Sequence, residues 1–185
     1  MSFEILPIEI DDVDEVLAFT DKWIGKNYYD KQELLDILHM GIRDGLNASL
    51  KAVVSGQLAG IRISLAPGNW IKPTSRGLTK DLWNVESDSM AYFKSLFVSG
   101  DFQKIGIGRA LSSESIRVLG EMGAKGVLCH SWLESPGNSS QKYLLSFGFQ
   151  PVKEHKLFWS VIDYVCTKCG PSKCSCTAIE MVKYL

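Results

Sequence analysis

The sequence predicts a mixed α/β fold, a central sheet of about seven strands flanked by four helices, in a single domain spanning residues 1–185. Two observations carry this expectation. Apolar runs of strand character alternate with runs of helical spacing, in the order strand, two helices, three strands, helix, strand, helix, further strands. The segment Ser95–Leu111 (SLFVSGDFQKIGIGRAL) passes from a buried apolar run across a polar turn and enters a helix through Gln103, Gly106 and Gly108.

Taken in order, Phe3–Ile10 alternates weakly and reads as a first strand. Asp11 and Asp12 suit the cap and first turn of a helix, where carboxylates meet the positive end of the dipole. Val13, Val16, Leu17, Thr20 and Ile24 follow at helical spacing, up to Gly25. A second helix, Lys31–Arg43, turns Leu34, Leu35, Ile37, Leu38 and Ile42 inward and stops at Gly45; His39 on it reads as a surface or partly buried side chain. Ser49–Val54 and Leu58–Leu65 are two strands joined by a hairpin turn. Pro67–Ser87 lacks periodicity, and a loop of about twenty residues inside a compact domain is generally functional or locally irregular. Ser89–Val98 is a fourth strand and Arg109–Met122 a third helix closed by Gly123. Gly126–Trp132 is a short apolar strand, Ser139–Phe147 a fourth helix, and Phe149–Val152 a further strand. Leu157–Val165 and Ala178–Tyr184 read as two terminal strands joined by a cysteine-rich segment.

A strand feeding a helix through glycines aims several backbone N–H groups, and the positive end of the helix dipole, at one anion. Three phosphate-binding patterns compete here. A nucleotide P-loop needs Gly-Lys-Ser/Thr, whereas Gly108 is followed by Arg109 and Ala110. A dinucleotide fingerprint needs glycine or alanine at Leu111 and an acidic residue near Cys129–Ser131. The pattern Gln-x-x-Gly-x-Gly fits without exception.

That pattern resembles the acetyl-CoA-binding signature of the GNAT superfamily of N-acetyltransferases, with Gln103, Gly106 and Gly108 in the motif positions. Asn138–Phe149 (NSSQKYLLSFGF) is similar to the superfamily's late helix, which opens with an asparagine and ends in Gly-Phe. The element order is the GNAT order, so the resemblance covers nearly the whole chain and implies a GNAT-like sheet. It implies transfer of an acetyl group from acetyl-CoA to a primary amine, of a small molecule or a peptide, by direct attack. The backbone of Gln103, Lys104, Ile105, Gly106, Ile107, Gly108 and Arg109 would cradle the pyrophosphate. Phe97 and Val98 would pair with the pantetheine arm as an added strand, the Val98 amide would face the thioester oxygen, and Asn138 would bond the arm. In the superfamily the region of Pro67–Ser87 borders the acceptor; the alternative is that Trp70 and Trp83 pack a short extra helix.

An aliphatic amine is protonated at neutral pH, so the reaction needs a proton acceptor. Strand spacing puts Tyr92, Lys94, Leu96 and Val98 on one face, with Asp88 in the same parity if the strand starts early. The superfamily's frequent glutamate base falls at Tyr92, a departure that leaves Glu86, Asp88 and Glu134 as substitutes. The usual tyrosine acid falls at Leu144; Tyr143 is one position off, rotated by about 100° on a helix. These departures keep a second function open, a catalytically weak acyl-CoA-binding, zinc-bearing interaction or regulatory module.

Four of the five cysteines lie in Cys166–Cys176 (CTKCGPSKCSC). Cys166 and Cys169 form a Cys-x-x-Cys turn bent by Gly170-Pro171, while Cys174 and Cys176 share one face of an extended segment. The four sulfurs can converge on one structural zinc ion, making 166–176 a zinc hairpin at the tip of the last two strands. Disulfides and a redox switch are the alternatives, and distance in sequence from Gln103–Gly108 argues for a structural role. Cys129 reads as a core residue.

Composition is that of an ordinary globular chain, 45% hydrophobic and 22% charged, with net charge −1. It gives no basic footprint for nucleic acid or an anionic membrane. No apolar run reaches the 18 or so residues of a span, and the N-terminus lacks the basic region of a signal peptide, so cytoplasmic location is the default expectation. A homodimer is admitted but not required.

Overall fold

The computed structural model describes residues 2–162, 165–166 and 168–185. Among the described residues, nine strands and four helices follow one another as β1 (Glu4–Pro7), α1 (Val13–Trp23), α2 (Lys31–Met40), β2 (Ile42–Arg43), β3 (Leu46–Asn47), β4 (Leu50–Val54), β5 (Gln57–Leu65), β6 (Met90–Val98), α3 (Ile107–Glu121), β7 (Gly126–Trp132), α4 (Ser139–Ser146), β8 (Gln150–His155) and β9 (Ala178–Tyr184). Seven of these strands form one sheet in the order β1-β4-β5-β6-β7-β9-β8, and β2 and β3 pair apart from it. The mixed α/β plan with a seven-stranded sheet and four helices is the one the sequence predicts. Among the described residues no helix is long and apolar enough to cross a membrane.

The helices cover both faces of the sheet. Val13, Val16 and Phe19 of α1 and Leu34, Ile37 and Leu38 of α2 pack on Ile61, Ile63 and Leu65 of β5. On the opposite face, Val118 and Leu119 of α3 and Leu144 of α4 pack on Phe93, Val127 and Phe149, while Ile107 and Leu111 lie on Leu50, Ala52 and Val54. Asp30 starts α2 by accepting the Glu33 amide at 2.7 Å.

Three segments depart from the sequence expectation. The second helix stops at Met40 rather than Arg43, because Asp44 (φ 51°) and Gly45 (φ 77°) make a tight turn that folds β2 onto β3. Ile42 therefore leaves the inner face and is exposed. Ser87–Ser89 form a 3-10 turn, so Asp88 lies off the strand. Most consequentially, the described part of Leu157–Val165 is not a strand. Leu157 has φ 55°, Ser160 N–H donates to Leu157 O and Ile162 N–H to Trp159 O, and Leu157, Val161, Ile162 and Val165 are exposed. The segment was read from apolar content alone; residues 163 and 164 lie outside the described residues. The neighbour of β9 at the sheet edge is β8, so the cysteine-rich segment connects β8 to β9.

The long connection 67–87 is held by one buried carboxylate. Glu180 on β9 has no exposed surface; its Oε1 accepts from the Thr79 amide (2.9 Å) and the Trp83 indole (2.6 Å), and its Oε2 lies 2.9 Å from His155 Nε2. These donors hold the carboxyl below its ordinary range although burial pushes it up. Replacing Glu180 with alanine strands the buried Trp83 indole and two half-buried donors, Thr79 and His155, and should cost about 3 kcal/mol. Urea unfolding of Glu180→Ala should show that loss, and amide exchange at Thr79 should accelerate before the sheet opens.

Candidate active site

The site begins where two strands part. β6 and β7 are parallel and pair only from Met90↔Gly126 to Phe93↔Cys129. Both strands continue, β6 to Val98 and β7 to Trp132, without pairing further. At the same point β6 bulges. Ser64 of β5 faces Phe93 and Ile63 faces Ser95, so Lys94 is the extra residue. The bulge breaks the single parity expected for this strand. Tyr92 and Phe97 pack toward α1 and α2, whereas Leu96 and Val98 pack toward α3. Ser95 bonds Tyr29 on the connection between α1 and α2 at 2.8 Å.

A cavity of about 420 Å³ runs through the sheet at this opening. Tyr28, Tyr92 and Phe97 line it from one side of the sheet, and Arg62, Ser140 and Tyr143 from the other. Backbone direction is settled by one bond. Ser99 N–H donates to Ala59 O on β5 at 2.9 Å, so the Val98 N–H, one residue back along an extended strand, points away from β5 into the gap. The Val98 carbonyl faces the same way, with Gln103 Nε2 3.5 Å from it. Phe97 thus contributes its ring rather than its backbone to the opening.

Beyond the gap the chain turns into α3. Gly106 caps the helix at φ 94°, a left-handed conformation that favours glycine, and no side chain caps the N-terminus. The internal ladder starts with Ala110 N–H on Gly106 O, leaving the amides of Ile107, Gly108 and Arg109 ahead of it. Gln103, Lys104 and Ile105 are exposed on the turn, and Ile107 is buried, anchoring it to the core. Arg109 lies on the surface with its guanidinium over the Phe147 ring. Asn138 precedes α4; its amide nitrogen donates to Gln141 Oε1 (2.7 Å), while its Oδ1 is buried and meets no donor among the described residues. This orphaned acceptor, the forward amides of α3 and the open Val98 amide fit a ligand that carries both phosphates and amide groups.

Tyr143 stands at the inner end of the cavity, its hydroxyl 2.7 Å from both the Gly108 carbonyl and Ser112 Oγ. Tyr92 stands opposite. Its hydroxyl lies 2.9 Å from His130 Nδ1, and His130 Nε2 lies 2.7 Å from Gly77 O. A carbonyl only accepts, so Nε2 carries the proton and Nδ1 receives the Tyr92 O–H. Burial pushes His130 down to about 4, against the pull of the Gly77 carbonyl, and raises Tyr92 above its usual range. A β-carbon at Gly77 would come within 2.5 Å of Phe158, so only glycine admits this contact. His130 was not singled out in the sequence; its only signal was a polar residue within an otherwise apolar strand.

A second cavity, about 330 Å³, lies between α2 and the 67–87 connection and shares Tyr92, Lys94 and His130 with the first. Trp70 lines it, stacked on Tyr92 at 4.7 Å, whereas Trp83 is wholly buried against Glu180. Trp83 thus packs the core beside the short 3-10 turn Lys80–Leu82, while Trp70 borders the cavity. Of the expected carboxylates, Glu86 is exposed beside the Ser87–Ser89 turn and lines neither cavity. Glu134 accepts the Thr177 amide at 2.9 and 3.0 Å. Neither is brought to the junction where Tyr92, Lys94 and His130 meet.

The sulfurs of Cys166, Cys169, Cys174 and Cys176 all lie within 4.8 Å of one another, a set that can hold a metal ion. The Cys166–Cys176 and Cys169–Cys176 separations are 3.9 and 3.7 Å. Sulfurs at the corners of a zinc tetrahedron with bonds of about 2.3 Å would be about 3.8 Å apart. Ser175 donates its amide to Cys169 Sγ, and its amide and hydroxyl pull that thiol down to about 6. Far from the turn in sequence, the cluster is close to the opening in space. Cys166 lines an apolar cavity with Phe97 and Trp159, and Trp159 also lines the through-sheet cavity. Phe158 N–H donates to Cys176 O while its ring stacks on His130 at 4.4 Å.

No protein-family model matches the chain, and no curated protein matches it in sequence. Solved structures match it in fold over nearly its whole length. Arabidopsis thaliana NAA60, solved with a bisubstrate analogue, is 15% identical over 99% of this chain and 98% of its own, with a TM-score of 0.72. The ribosomal-protein-alanine N-acetyltransferase of Brucella melitensis is 19% identical, over 98% and 99%, at 0.69. An acetyltransferase of GNAT family from Streptococcus pneumoniae is 13% identical, over 100% and 99%, at 0.69. The fold is that of the GNAT acetyltransferases.

Burial of neutral His130 has a consequence for stability. With a folded value of about 4 and an ordinary value near 6.5, the unfolded chain binds the extra proton between those limits. The contribution is complete above about pH 6.5 and is lost as pH falls toward 4, up to about 3 kcal/mol. Chemical denaturation across that window should show wild type losing stability on acidification more steeply than His130→Gln; parallel curves would contradict the burial of a neutral imidazole.

Proposed function

We propose that this chain is an N-acetyltransferase that moves an acetyl group from acetyl-CoA to a primary amine. The observation that carries the reading is the parting of β6 and β7, with a cavity through the sheet that leads to a helix start of free amides. The GNAT fold raises the expectation, and the transferase activities of its neighbours are theirs. Coenzyme A would lie with its pyrophosphate on the amides of Gln103 to Arg109 and its pantetheine arm in the gap. There the Val98 backbone supplies strand-like bonds and Asn138 Oδ1 meets an amide of the arm. The acetyl group would then sit at the Lys94 bulge, with the Val98 amide toward the thioester oxygen.

The acceptor enters from the cavity under Trp70, where Tyr92, Lys94 and His130 mark the junction. Tyr92 takes the amine proton while passing its own to His130 Nδ1, which is neutral and already accepts from Tyr92. This assigns to Tyr92 and His130 the work that the sequence offered to Glu86, Asp88 or Glu134. Tyr143 stands on the sulfur side, its O–H the hydrogen-bond donor that meets the departing thiolate. The acceptor class is a primary amine, of a small molecule or a peptide.

At Gly108 a β-carbon would contact Leu96, Val98 and Tyr143 at 3.6–3.9 Å, so the backbone tolerates bulk that the gap does not. Gly108→Val should keep its thermal unfolding within a few degrees of wild type and lose at least about tenfold in acetyl-CoA affinity by calorimetry. Unchanged affinity in the folded variant would remove the coenzyme from this turn. Turnover of acetyl-CoA with a panel of amines, read as free thiol, separates the enzyme from a binding module.

The four cysteines are assigned to one zinc ion that fixes the β8–β9 connection. Elemental analysis of protein purified without added metal should find about one zinc per chain with protected thiols. Chelation should lower thermal stability and shift the fluorescence of Trp132 and Trp159, which pack on the cluster. Four freely reactive thiols, or two disulfides by mass, would refute the assignment.

A further inference from the structure

Arg62 on β5 is a cation without an anion. It is 2% exposed, and among the described residues no carboxylate pairs with it. Its Nη2 donates to Ser112 Oγ at 2.7 Å, its guanidinium lies 4.0 Å over the Phe93 ring, and its Nε is buried with no partner. A buried guanidinium in this state is costly unless something negative shares its surroundings for part of the time. Burial accordingly works against its charge.

The hydrogen bonds around it run in one direction. Arginine can only donate, and the Gly108 carbonyl can only accept. Between them, Ser112 Oγ lies 2.7 Å from both Arg62 Nη2 and the Tyr143 hydroxyl, which is itself 2.7 Å from Gly108 O. With its single proton on the carbonyl, Tyr143 receives the Ser112 O–H. The string is therefore Arg62 N–H to Ser112, Ser112 O–H to Tyr143, and Tyr143 O–H to Gly108. Such a chain polarises each member in the same sense and ends in a strengthened phenol donor. Its last proton rests on a carbonyl inside the first turn of α3, and the Arg62 and Tyr143 ends of the string line the through-sheet cavity.

We propose that Arg62 is a positioning residue whose charge, relayed through Ser112, lets Tyr143 bind the sulfur of coenzyme A as a thiolate. The inference rests on the acetyltransferase reading and deepens it. In the transfer, the acceptor nitrogen forms a bond to the acetyl carbon and gives up a proton. The C–S bond breaks, its electron pair stays on sulfur, and Tyr143 turns its O–H from Gly108 O to that sulfur. The buried cation then has its anion. The other titratable groups facing the cavity are Tyr28, Tyr92 and Lys94 from one side, with Cys129 and His130 on β7. Of these Lys94 is the one competing cation, so it is tested in parallel.

The test is an ultraviolet titration of the thiolate of coenzyme A bound to the folded protein, against free coenzyme A. The bound thiol should ionise at least about tenfold more readily than the free one. Arg62→Met, Ser112→Ala and Tyr143→Phe should each abolish most of that difference, Arg62→Lys should retain part, and Lys94→Met should leave most of it. If Arg62→Met does not fold, Ser112→Ala and Tyr143→Phe decide. No acidification in wild type, or acidification lost only in Lys94→Met, overturns the proposal. Calorimetry at about pH 6, where the free thiol is protonated, separates the two levels. Binding there without acidification overturns this proposal alone, whereas no binding overturns the coenzyme reading and this proposal with it.

Discussion

Everything around the site depends on two parallel strands that cease to pair. Inside a sheet, backbone N–H and C=O groups must find partners, and a ladder that stops between covered strands leaves a row of them. Here the row begins after Phe93 and Cys129, at the level where Lys94 bulges out of β6. The bulge increases twist locally and so helps the strands diverge. The fold does not repair the gap with its own chain. It places Phe97 and Tyr28 at one mouth and α4 at the other, an opening into which an extended ligand with alternating donors and acceptors would fit as an added strand.

What keeps such a gap open is the bracing on either side of it. Glu180, on the strand beyond β7, holds the Trp83 indole and the Thr79 amide. Through them the 67–87 connection is pressed against the sheet, and Gly77 O meets His130 from that connection. Trp70 donates its indole N–H to Met90 O and stacks on Tyr92. The tautomer of His130 and the direction of the Tyr92 hydroxyl are thus set by a carboxylate on another strand. A loop that lacks periodicity takes its shape from contacts distant in sequence, this buried carboxylate and Trp70 among them, which is why no local sequence pattern announces it.

Local pattern did disclose the parts that local physics governs. The α1 and α3 helices, the hairpin of β4 and β5, and the glycine turn into α3 follow from spacing and capping, and they stand where the sequence placed them. The four cysteines likewise converge as their spacing suggests. What was hidden depends on contacts distant in sequence. A bulge cannot be read from alternation, so Leu96 and Val98 were assigned to the face of Tyr92 although they lie on the other. Arg62 carries no pattern of its own in the sequence, and the partner of its Nη2, Ser112, lies fifty positions later. Leu157–Val165 carries strand-like composition, yet β9 already has β8 and β7 on its two edges and no room for a third partner.

That last misfit explains the cysteine cluster. With β8 ending at His155 and β9 starting at Ala178, the connection between two adjacent strands runs from Lys156 to Thr177, and its described residues are joined by turns and one isolated bridge, Cys166↔Gly170. Leu157, Val161, Ile162 and Val165 in it are exposed, so these residues add little to a core, and what is buried in the segment gathers around Cys166, Cys174 and Cys176. Four sulfurs drawn together offer a different constraint, because a bound metal would replace a missing core with a few strong bonds. The constraint falls beside the opening. Trp159 packs on the cysteines and lines the through-sheet cavity, and Phe158 is tied by its amide to Cys176 while covering His130. The sulfur cluster therefore shapes one wall of the through-sheet cavity, and the order of that wall follows the order of the cluster.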